Sequence, residues 1–377
     1  MDVTHVGSLP RGNALADLLI AREKGEAVDA AALEAAIADR VAEMVARQVD
    51  AGITIANDGE QSRAGFQTYI VERMTGFGGE STRRPPMDYT EFPTFAALMA
   101  QRMRNVAKIR NAPVAEAPVA YASTAAVEAE CARLNAALKD KGTDGRVQGF
   151  MTAPSPGIVA TTLDNKHYDS DDAYLDALAA ELAKEYRVIV DAGLVLQVDA
   201  PDLAMERCTK YQDLTDEGFV EQAGRHIAAL NKALEGLPRE RIRLHCCWGN
   251  WDGPHLHDLA LEKILPVLYR ADVGQLSIPF ANPRHQHEYR AFEVHPFPSD
   301  RVLVPGVVDT TCNYVEHPQV VADRIAQAVA VTGDPARVFP STDCGFGTFA
   351  GFDFVAEEVV FEKLKAIRQG VELYEAR

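Results

Sequence analysis

Short apolar segments alternate with long amphipathic segments along this chain. Eight apolar segments have the length and composition of strands, and they span residues 4–9, 52–58, 148–152, 195–200, 242–247, 275–281, 302–308 and 337–342. Helical periodicity occupies residues 29–48, 172–191, 216–234, 318–332 and 354–374. Parallel strands need a crossover connection, which is usually a helix, so this alternation indicates a parallel sheet. The sequence predicts an α/β fold of the (β/α)8 TIM-barrel class.

Polar or reactive residues follow nearly every predicted strand. Ser8, Glu60, Asp199, Asp309 and Cys344 each lie at or just beyond such an end. In a barrel the carboxyl ends of all strands converge on one face, whereas in an open sheet they spread along an edge. No GxGxxG motif follows the first strand, so a dinucleotide-binding fold has no support. We therefore expect one site at the carboxyl face of the barrel.

One catalytic barrel over residues 1–377 is the simplest organisation, with an insertion around residues 76–145. Residues 76–93 are rich in Gly, Arg and Pro and predict a long loop. A ninth strand at 119–123 would belong to the insertion, and a turn is predicted at 142–145.

The charge balance excludes several classes of partner. The chain has 55 acidic and 38 basic residues, a formal net charge of −17. Nucleic-acid binding needs a concentrated basic face, so neither a nucleic acid nor an anionic membrane is expected as a partner. The start of the chain has no apolar signal core, and the six cysteines are scattered. We expect a cytoplasmic protein with reduced thiols. Its oligomeric state stays open, and a homo-oligomer is compatible with the sequence.

The strongest local signal for chemistry is a His-x-Cys pair at the end of one predicted strand. Side chains alternate along a strand, so His245 and Cys247 point to the same side and Cys246 points away. Cys344, at the end of another predicted strand, completes a set of three. Zinc favours this mixture of imidazole and thiolate, and three protein ligands leave a fourth position for substrate. Two structural cysteines and a hydrogen-bonded histidine would produce the same spacing.

The order of the motifs resembles a known family. Residues 6–11 (VGSLPR), 58–60 (DGE), 245–247 (HCC) and 343–345 (DCG) occur in sequence at strand ends. They look like the catalytic barrel of cobalamin-independent methionine synthases and of the related epoxyalkane:coenzyme M transferases, over residues 4–347. The resemblance implies that zinc is held by His245, Cys247 and Cys344. It also implies that Ser8, Glu60 and Asp199 bind substrate.

The implied reaction is alkylation of a small thiol by an electrophilic alkyl donor. Zinc lowers the pKa of a thiol, and only the thiolate is a competent nucleophile. Asp199 and Asp309 are the candidate catalytic residues. Trp248 would shape the pocket, although core packing explains this side chain equally well. A zinc-binding barrel with a sensory or scaffold role is the alternative of a different class.

Two departures from the family pattern bear on the substrate. Pro279 occupies the place of a glutamate zinc ligand of the methionine synthases, and His285 or Glu288 could replace it or could be surface residues. The methionine synthases have an Asp-x-His pair after a later strand, and the matching residues here are Asp309 and Thr311. Threonine cannot act as a general acid near neutral pH.

Both departures favour the coenzyme M branch, with epoxide opening to a hydroxyalkyl thioether. A sulfonate would then need a cation, for which Arg11, Arg63 and Arg284 are candidates. The alternative is methyl transfer to homocysteine or another thiol, from a methylfolate or another methyl donor.

Overall fold

The computed structural model describes residues 1–81, 83–103, 106–107, 112–141, 145–352 and 354–377. Seven parallel strands of these ranges form one sheet in the order β1-β4-β5-β6-β7-β8-β9, and β2 pairs with β3 antiparallel. The strands are β1 (Ile55–Ala56), β2 (Met74–Gly78), β3 (Val114–Tyr121), β4 (Gln148–Pro154), β5 (Val195–Asp199), β6 (Ile242–His245), β7 (Gln275–Ile278), β8 (Val302–Val308) and β9 (Ser341–Thr342).

The first predicted strand takes part in closing the sheet without forming a regular strand. The Val3 carbonyl oxygen accepts hydrogen bonds from the Thr54 and Ile55 amides at 2.9 and 3.0 Å, and the Thr4 amide donates to the Pro340 oxygen at 3.0 Å. This segment therefore connects the chain around β1 with the chain just before β9. The backbone leaves the ladder at Gly7, whose φ of 142° ends the extended run. The barrel class is confirmed, and the assignment of residues 4–9 as a full strand is wrong.

Thirteen α-helices occur in the described ranges. They are α1 (Asn13–Glu23), α2 (Ala30–Asp50), α3 (Ile70–Arg73), α4 (Met87–Glu91), α5 (Pro93–Arg102), α6 (Ala125–Asp140), α7 (Pro156–Thr162), α8 (Asp171–Asp191), α9 (Asp216–Ala233), α10 (Leu261–Leu268), α11 (Ala291–Val294), α12 (Pro318–Thr332) and α13 (Glu357–Glu375). All five predicted helices are present. Side chains of Asp29, Ser170 and Thr215 accept from backbone amides of the first turns of α2, α8 and α9, which fixes where these helices begin.

The region predicted as an insertion contains more regular structure than its composition suggests. The loop predicted at 76–93 includes the end of β2 and the whole of α4, so that prediction is wrong in part. Pro93 occupies the first turn of α5, where its missing amide costs nothing. The ninth predicted strand corresponds to β3. The turn predicted at 142–145 falls mostly outside the described residues.

A buried polar layer fills the barrel below the carboxyl face. Arg243 on β6 donates to Gln275 at 3.0 Å, to Gln197 at 3.1 Å and to Thr4 at 3.2 Å. Burial lowers the pKa of Arg243 to about 9, and the carboxylate of Asp199 opposes that shift. These bonds connect strands β5, β6 and β7 with the amino-terminal segment. Among the described helices, none has the length and apolar character of a membrane span.

Candidate active site

The three residues proposed as metal ligands come together at the carboxyl ends of β6 and β9. One ligand atom from each of His245, Cys247 and Cys344 lies within 4.8 Å of the others, and all three residues are buried. His245 Nε2 lies 3.9 Å from the sulfur of Cys344. Cys246, between the pair, packs in the hydrophobic core, as strand alternation predicts. No further His, Cys, Asp or Glu of the described ranges joins this group.

The surroundings of the three ligands suit a metal ion. His245 Nδ1 lies 3.3 Å from the hydroxyl of Ser277, at the matching position on β7, and such a bond fixes the ring so that Nε2 faces the thiols. A hydrogen bond from Cys344 lowers the pKa of Cys247 well below its usual range, and His245 lowers it further against the effect of burial. One imidazole and two cysteine sulfurs form a donor set that zinc prefers.

Asp343 holds the loop after β7 beside these ligands. Its Oδ1 accepts from the amides of Phe280 and Ala281 at 3.0 and 2.9 Å, and its Oδ2 accepts from the amide of Asn282 at 2.7 Å. Because Asp343 directly precedes Cys344, these bonds fix the position of that thiol. The sequence placed Asp343 in a motif but gave no signal of this role.

A cavity of about 520 Å³ opens above the three ligands, and its floor is acidic. Ser8, Glu60 and Asp199 line it together with the ligands, so the structure brings all three predicted substrate residues to the metal group. Glu60 has a φ of 56°, a left-handed conformation rare for residues other than glycine. Its Oε1 accepts from the Thr152 hydroxyl at 2.9 Å, whereas its buried Oε2 has no hydrogen-bond partner among the described residues.

The other floor carboxylate is also buried. Asp199 Oδ1 accepts from Gln197 at 2.9 Å. Burial raises the pKa of Asp199 to about 8; His245 opposes the shift and Glu60 adds to it. Two buried carboxyl groups, one with an oxygen that has no hydrogen-bond partner among the described residues, therefore line the cavity.

The wall of this cavity is largely apolar, and the insertion contributes much of it. Aromatic and methionine side chains of the wall are Phe66, Tyr89, Met99, Met103, Met205, Trp251, Phe349 and Phe352. Tyr89 lies on α4 and Met99 on α5, both in the insertion. Such a surface excludes water from a bound alkyl group.

Three residues proposed from the sequence lie outside the described lining of this cavity. Arg11 is buried and donates to the Gly347 carbonyl oxygen. Burial raises the pKa of Glu60, and the charges of Arg63 and Arg11 oppose that shift. Trp248 is buried with its ring stacked 3.9 Å from that of His285. Asp309 Oδ1 accepts two bonds from Thr311, and Asp309 borders a separate cavity of about 20 Å³ with Cys344.

The arginines follow a different pattern from the one expected. Arg63 is buried and pairs with Glu130 at 2.9 Å, and Arg284 donates to the His255 carbonyl oxygen at 2.9 Å. Neither Arg63 nor Arg284 is among the residues that line the large cavity in the described part of the chain. Arg83 and Arg84 of the insertion do line it, and each pairs with a carboxylate, from Glu206 and Asp213 respectively. Sequence reasoning missed these two arginines because their approach depends on how the insertion folds back.

The residues proposed to replace the missing glutamate ligand lie elsewhere. His285 bonds to Asp258 at 2.9 Å, and Glu288 accepts from the amide of Leu261 at 3.2 Å. Both are buried, so their interpretation as surface residues is wrong, and neither joins the group around His245.

The matching family model has the description "Cobalamin-independent synthase, Catalytic domain" and covers residues 1–365. The chain belongs to this family. Its similarity to 2-hydroxypropyl-CoM lyase of Xanthobacter autotrophicus is 23% identity, over 92% of this chain and 87% of that protein. Its similarity to methionine synthase of Sulfolobus acidocaldarius is 24% identity, over 92% of this chain and 85% of that protein.

Solved structures of cobalamin-independent synthases share the fold. The B12-independent methionine synthase of Shewanella sp. W3-18-1, in complex with selenomethionine, has a TM-score of 0.73 at 20% identity and covers 99% of this chain and 97% of its own. A second such structure, from Listeria monocytogenes, has a TM-score of 0.67 at 18% identity and 99% coverage of both chains. The family recognised in the sequence is confirmed. The chain is an enzyme of this family, whose members are thiol alkyltransferases.

Proposed function

We propose that this cobalamin-independent synthase uses zinc to alkylate the sulfur of a small thiol that carries an ammonium group, as homocysteine does. The unpartnered Oε2 of Glu60, at the floor of the cavity beside Asp199, carries this proposal. A buried carboxylate oxygen without a partner costs free energy that a bound ammonium group would recover. The sequence favoured coenzyme M, whose sulfonate would face the buried carboxyl groups of Glu60 and Asp199 here.

His245, Cys247 and Cys344 would hold the zinc, since their donor atoms match its preferences and lie within reach of one ion. Zinc supplies Lewis acidity that allows a thiol to lose its proton near neutral pH. Ser277 keeps the imidazole oriented, and Asp343 keeps the Cys344 backbone in place.

The chain's other residues orient the two substrates. Glu60 and Asp199 would bind the ammonium group and thereby fix the sulfur at the ligand group, while Ser8 offers a hydroxyl. The apolar wall would exclude water from the alkyl donor and keep the donor close to the sulfur. Attack by the sulfur on the donor is then favoured over hydrolysis of the donor. The sulfur attacks the alkyl carbon, the bond to the leaving heteroatom breaks, and a thioether forms. Of the two proposed catalytic carboxylates, Asp199 lines this cavity and is the one placed to exchange a proton with a bound molecule.

Epoxide opening by coenzyme M is the second candidate, because Arg83 and Arg84 line the same cavity. A sulfonate would have to draw one of them from its carboxylate partner, Glu206 or Asp213. The likeness to 2-hydroxypropyl-CoM lyase also supports this candidate.

Calorimetric titration of the zinc-loaded protein separates the two candidates. Homocysteine is compared with 4-mercaptobutyrate, which lacks only the ammonium group, and with coenzyme M. We expect homocysteine to bind at least about tenfold more tightly than 4-mercaptobutyrate, equivalent to about 1.4 kcal/mol. Glu60→Gln should remove that preference, and Glu128→Gln on the exposed face of α6 should retain it.

Equal binding of homocysteine and 4-mercaptobutyrate would refute a role for the ammonium group. Tighter binding of coenzyme M would favour the second candidate. Thioether product from propylene oxide or from a small methyl donor, followed by mass spectrometry, then identifies the alkyl donor.

A further inference from the structure

A second group of metal-type ligands lies outside the cavity of the proposed reaction. His255 Nδ1 and His285 Nε2 each lie 2.9 Å from the same oxygen, Oδ2 of Asp258. One ligand atom of each residue lies within 4.8 Å of the other two. The side chains of His255, His285 and Asp258 are 4%, 8% and 5% exposed, so water has little access to hydrogen-bond with them. This group shares no residue with that of His245.

We propose that His255, Asp258 and His285 form a second metal site, for a divalent transition metal ion of the zinc class. Two imidazoles and one carboxylate are a recurrent ligand set for such ions. Donor atoms that sit about 2.0–2.2 Å from a tetrahedral metal lie roughly 3.3–3.6 Å from one another. The two 2.9 Å separations from Asp258 would therefore lengthen on metal binding by roughly 0.4–0.7 Å.

The second nitrogen of each imidazole supports metal binding over simple hydrogen bonding. His255 Nε2 lies 3.1 Å from the Trp251 carbonyl oxygen. His285 Nδ1 lies 3.7 Å from a carboxylate oxygen of Glu288 and has no hydrogen-bond partner within the described residues. Metal-binding histidines commonly direct their remaining N–H at a carbonyl or carboxylate oxygen, as His255 does toward the Trp251 carbonyl.

The backbone and the second ring nitrogen of His255 both suit a ligand position. His255 has a φ of 52°, a strained conformation that a fixed ligand position explains. Its Nδ1 faces Asp258 Oδ2 and its Nε2 faces the Trp251 carbonyl oxygen. A metal ion at Nδ1 would therefore leave the Nε2 hydrogen directed at that carbonyl oxygen.

The position of the site indicates its role. His255 and Asp258 lie on the loop after β6, and His285 lies on the loop after β7, so one ion would join the two loops. Trp251 stacks on His255 at 4.6 Å and lines the large cavity. A bordering cavity of about 20 Å³, also lined by His255 and His285, has room for one water as a further ligand. The second ion would thus fix one wall of the substrate cavity.

Metal content of the full-length protein tests the site. Chelator-treated protein is loaded with zinc, dialysed against metal-free buffer and analysed by inductively coupled plasma mass spectrometry. We expect two zinc ions per chain, and one in His285→Gln. The exposed neighbour His287 supplies the control, since His287→Gln should keep two. Cys247→Ser should lose the other ion and keep the one at His285.

Cobalt distinguishes the two sites by spectrum. Cobalt at the cysteine-containing site gives intense thiolate-to-metal absorption, which His285→Gln should retain, while cobalt bound by imidazole and carboxylate gives only weak visible bands. No zinc in Cys247→Ser, or two ions in His285→Gln, would overturn the proposal and leave a hydrogen-bonded cluster. The wild-type and Cys247→Ser counts decide the matter if His285→Gln does not fold. Neither count depends on the substrate of the first site.

Discussion

Replacing Glu185 with glutamine tests the buried charge network between the barrel and the insertion. Glu185 lies on α8 and is fully buried. One carboxylate oxygen accepts from the hydroxyl of Tyr69 and from Arg73 Nη1 at 3.2 Å, and the other accepts from the hydroxyl of Tyr121 on β3. Arg73 also pairs with Glu130 at 2.6 Å. The substitution keeps the shape of the side chain and removes its charge.

The expected cost follows from removing one of the two buried carboxylates that pair with Arg73. Breaking one side of a buried ion pair typically costs about 3–5 kcal/mol. An unfolding entropy of roughly 2.1 cal/mol/K per residue, applied to 377 residues, converts this cost into a fall in Tm of roughly 4–6 °C. Removing the cation as well, in Glu185→Gln with Arg73→Met, should recover about 0.5–3 kcal/mol relative to the sum of the single changes.

Thermal unfolding of the zinc-saturated protein, followed by circular dichroism, measures these shifts. Asp176→Asn on the exposed face of α8 is the control, since its surface pair with Lys232 should contribute less than about 1 kcal/mol. A fall in Tm of less than 1 °C for Glu185→Gln, or strict additivity in the double variant, would refute this account of the network.

Two further predictions concern the amino-terminal segment and the turn before Glu60. Burial lowers the pKa of His5 from 6.5 to about 4, partly offset by its bond to Gln48, so the unfolded chain binds a proton that the folded chain does not in this interval. The free energy of unfolding should therefore fall by about 3 kcal/mol as the pH drops from 6.5 to 4. His5→Gln should flatten that fall in denaturant titrations, and an unchanged pH profile would contradict the assignment. Gly59→Ala should cost about 1–2 kcal/mol, because φ is 69° and a Cβ would lie 3.2 Å from that of Leu9. Gly25→Ala is the control, because φ is 73° there and an added Cβ would meet no atom within 4 Å, so its cost measures the backbone contribution alone. An equal loss of stability in both variants would exclude a steric contribution at Gly59.

Local sequence patterns predicted most of the helices and strands. They also predicted that the side chains of His245 and Cys247 lie on the same side of their strand. Strand alternation placed these two side chains on one side and Cys246 in the core, because this periodicity needs only neighbouring residues. The ends of the predicted strands also supplied Ser8 and Glu60. Their convergence followed from the barrel class, in which all strand ends face the same way.

The sequence by itself determined the fold class, the family and the residues that could hold a metal. Tertiary structure decided the chemistry of the surrounding pocket. Arg83 reaches the cavity because the insertion folds over it, and the unpartnered oxygen of Glu60 depends on a left-handed turn beside Thr152. His255 and His285 meet because two loops of neighbouring strands approach each other. Such contacts join residues far apart in sequence, and no local periodicity encodes them.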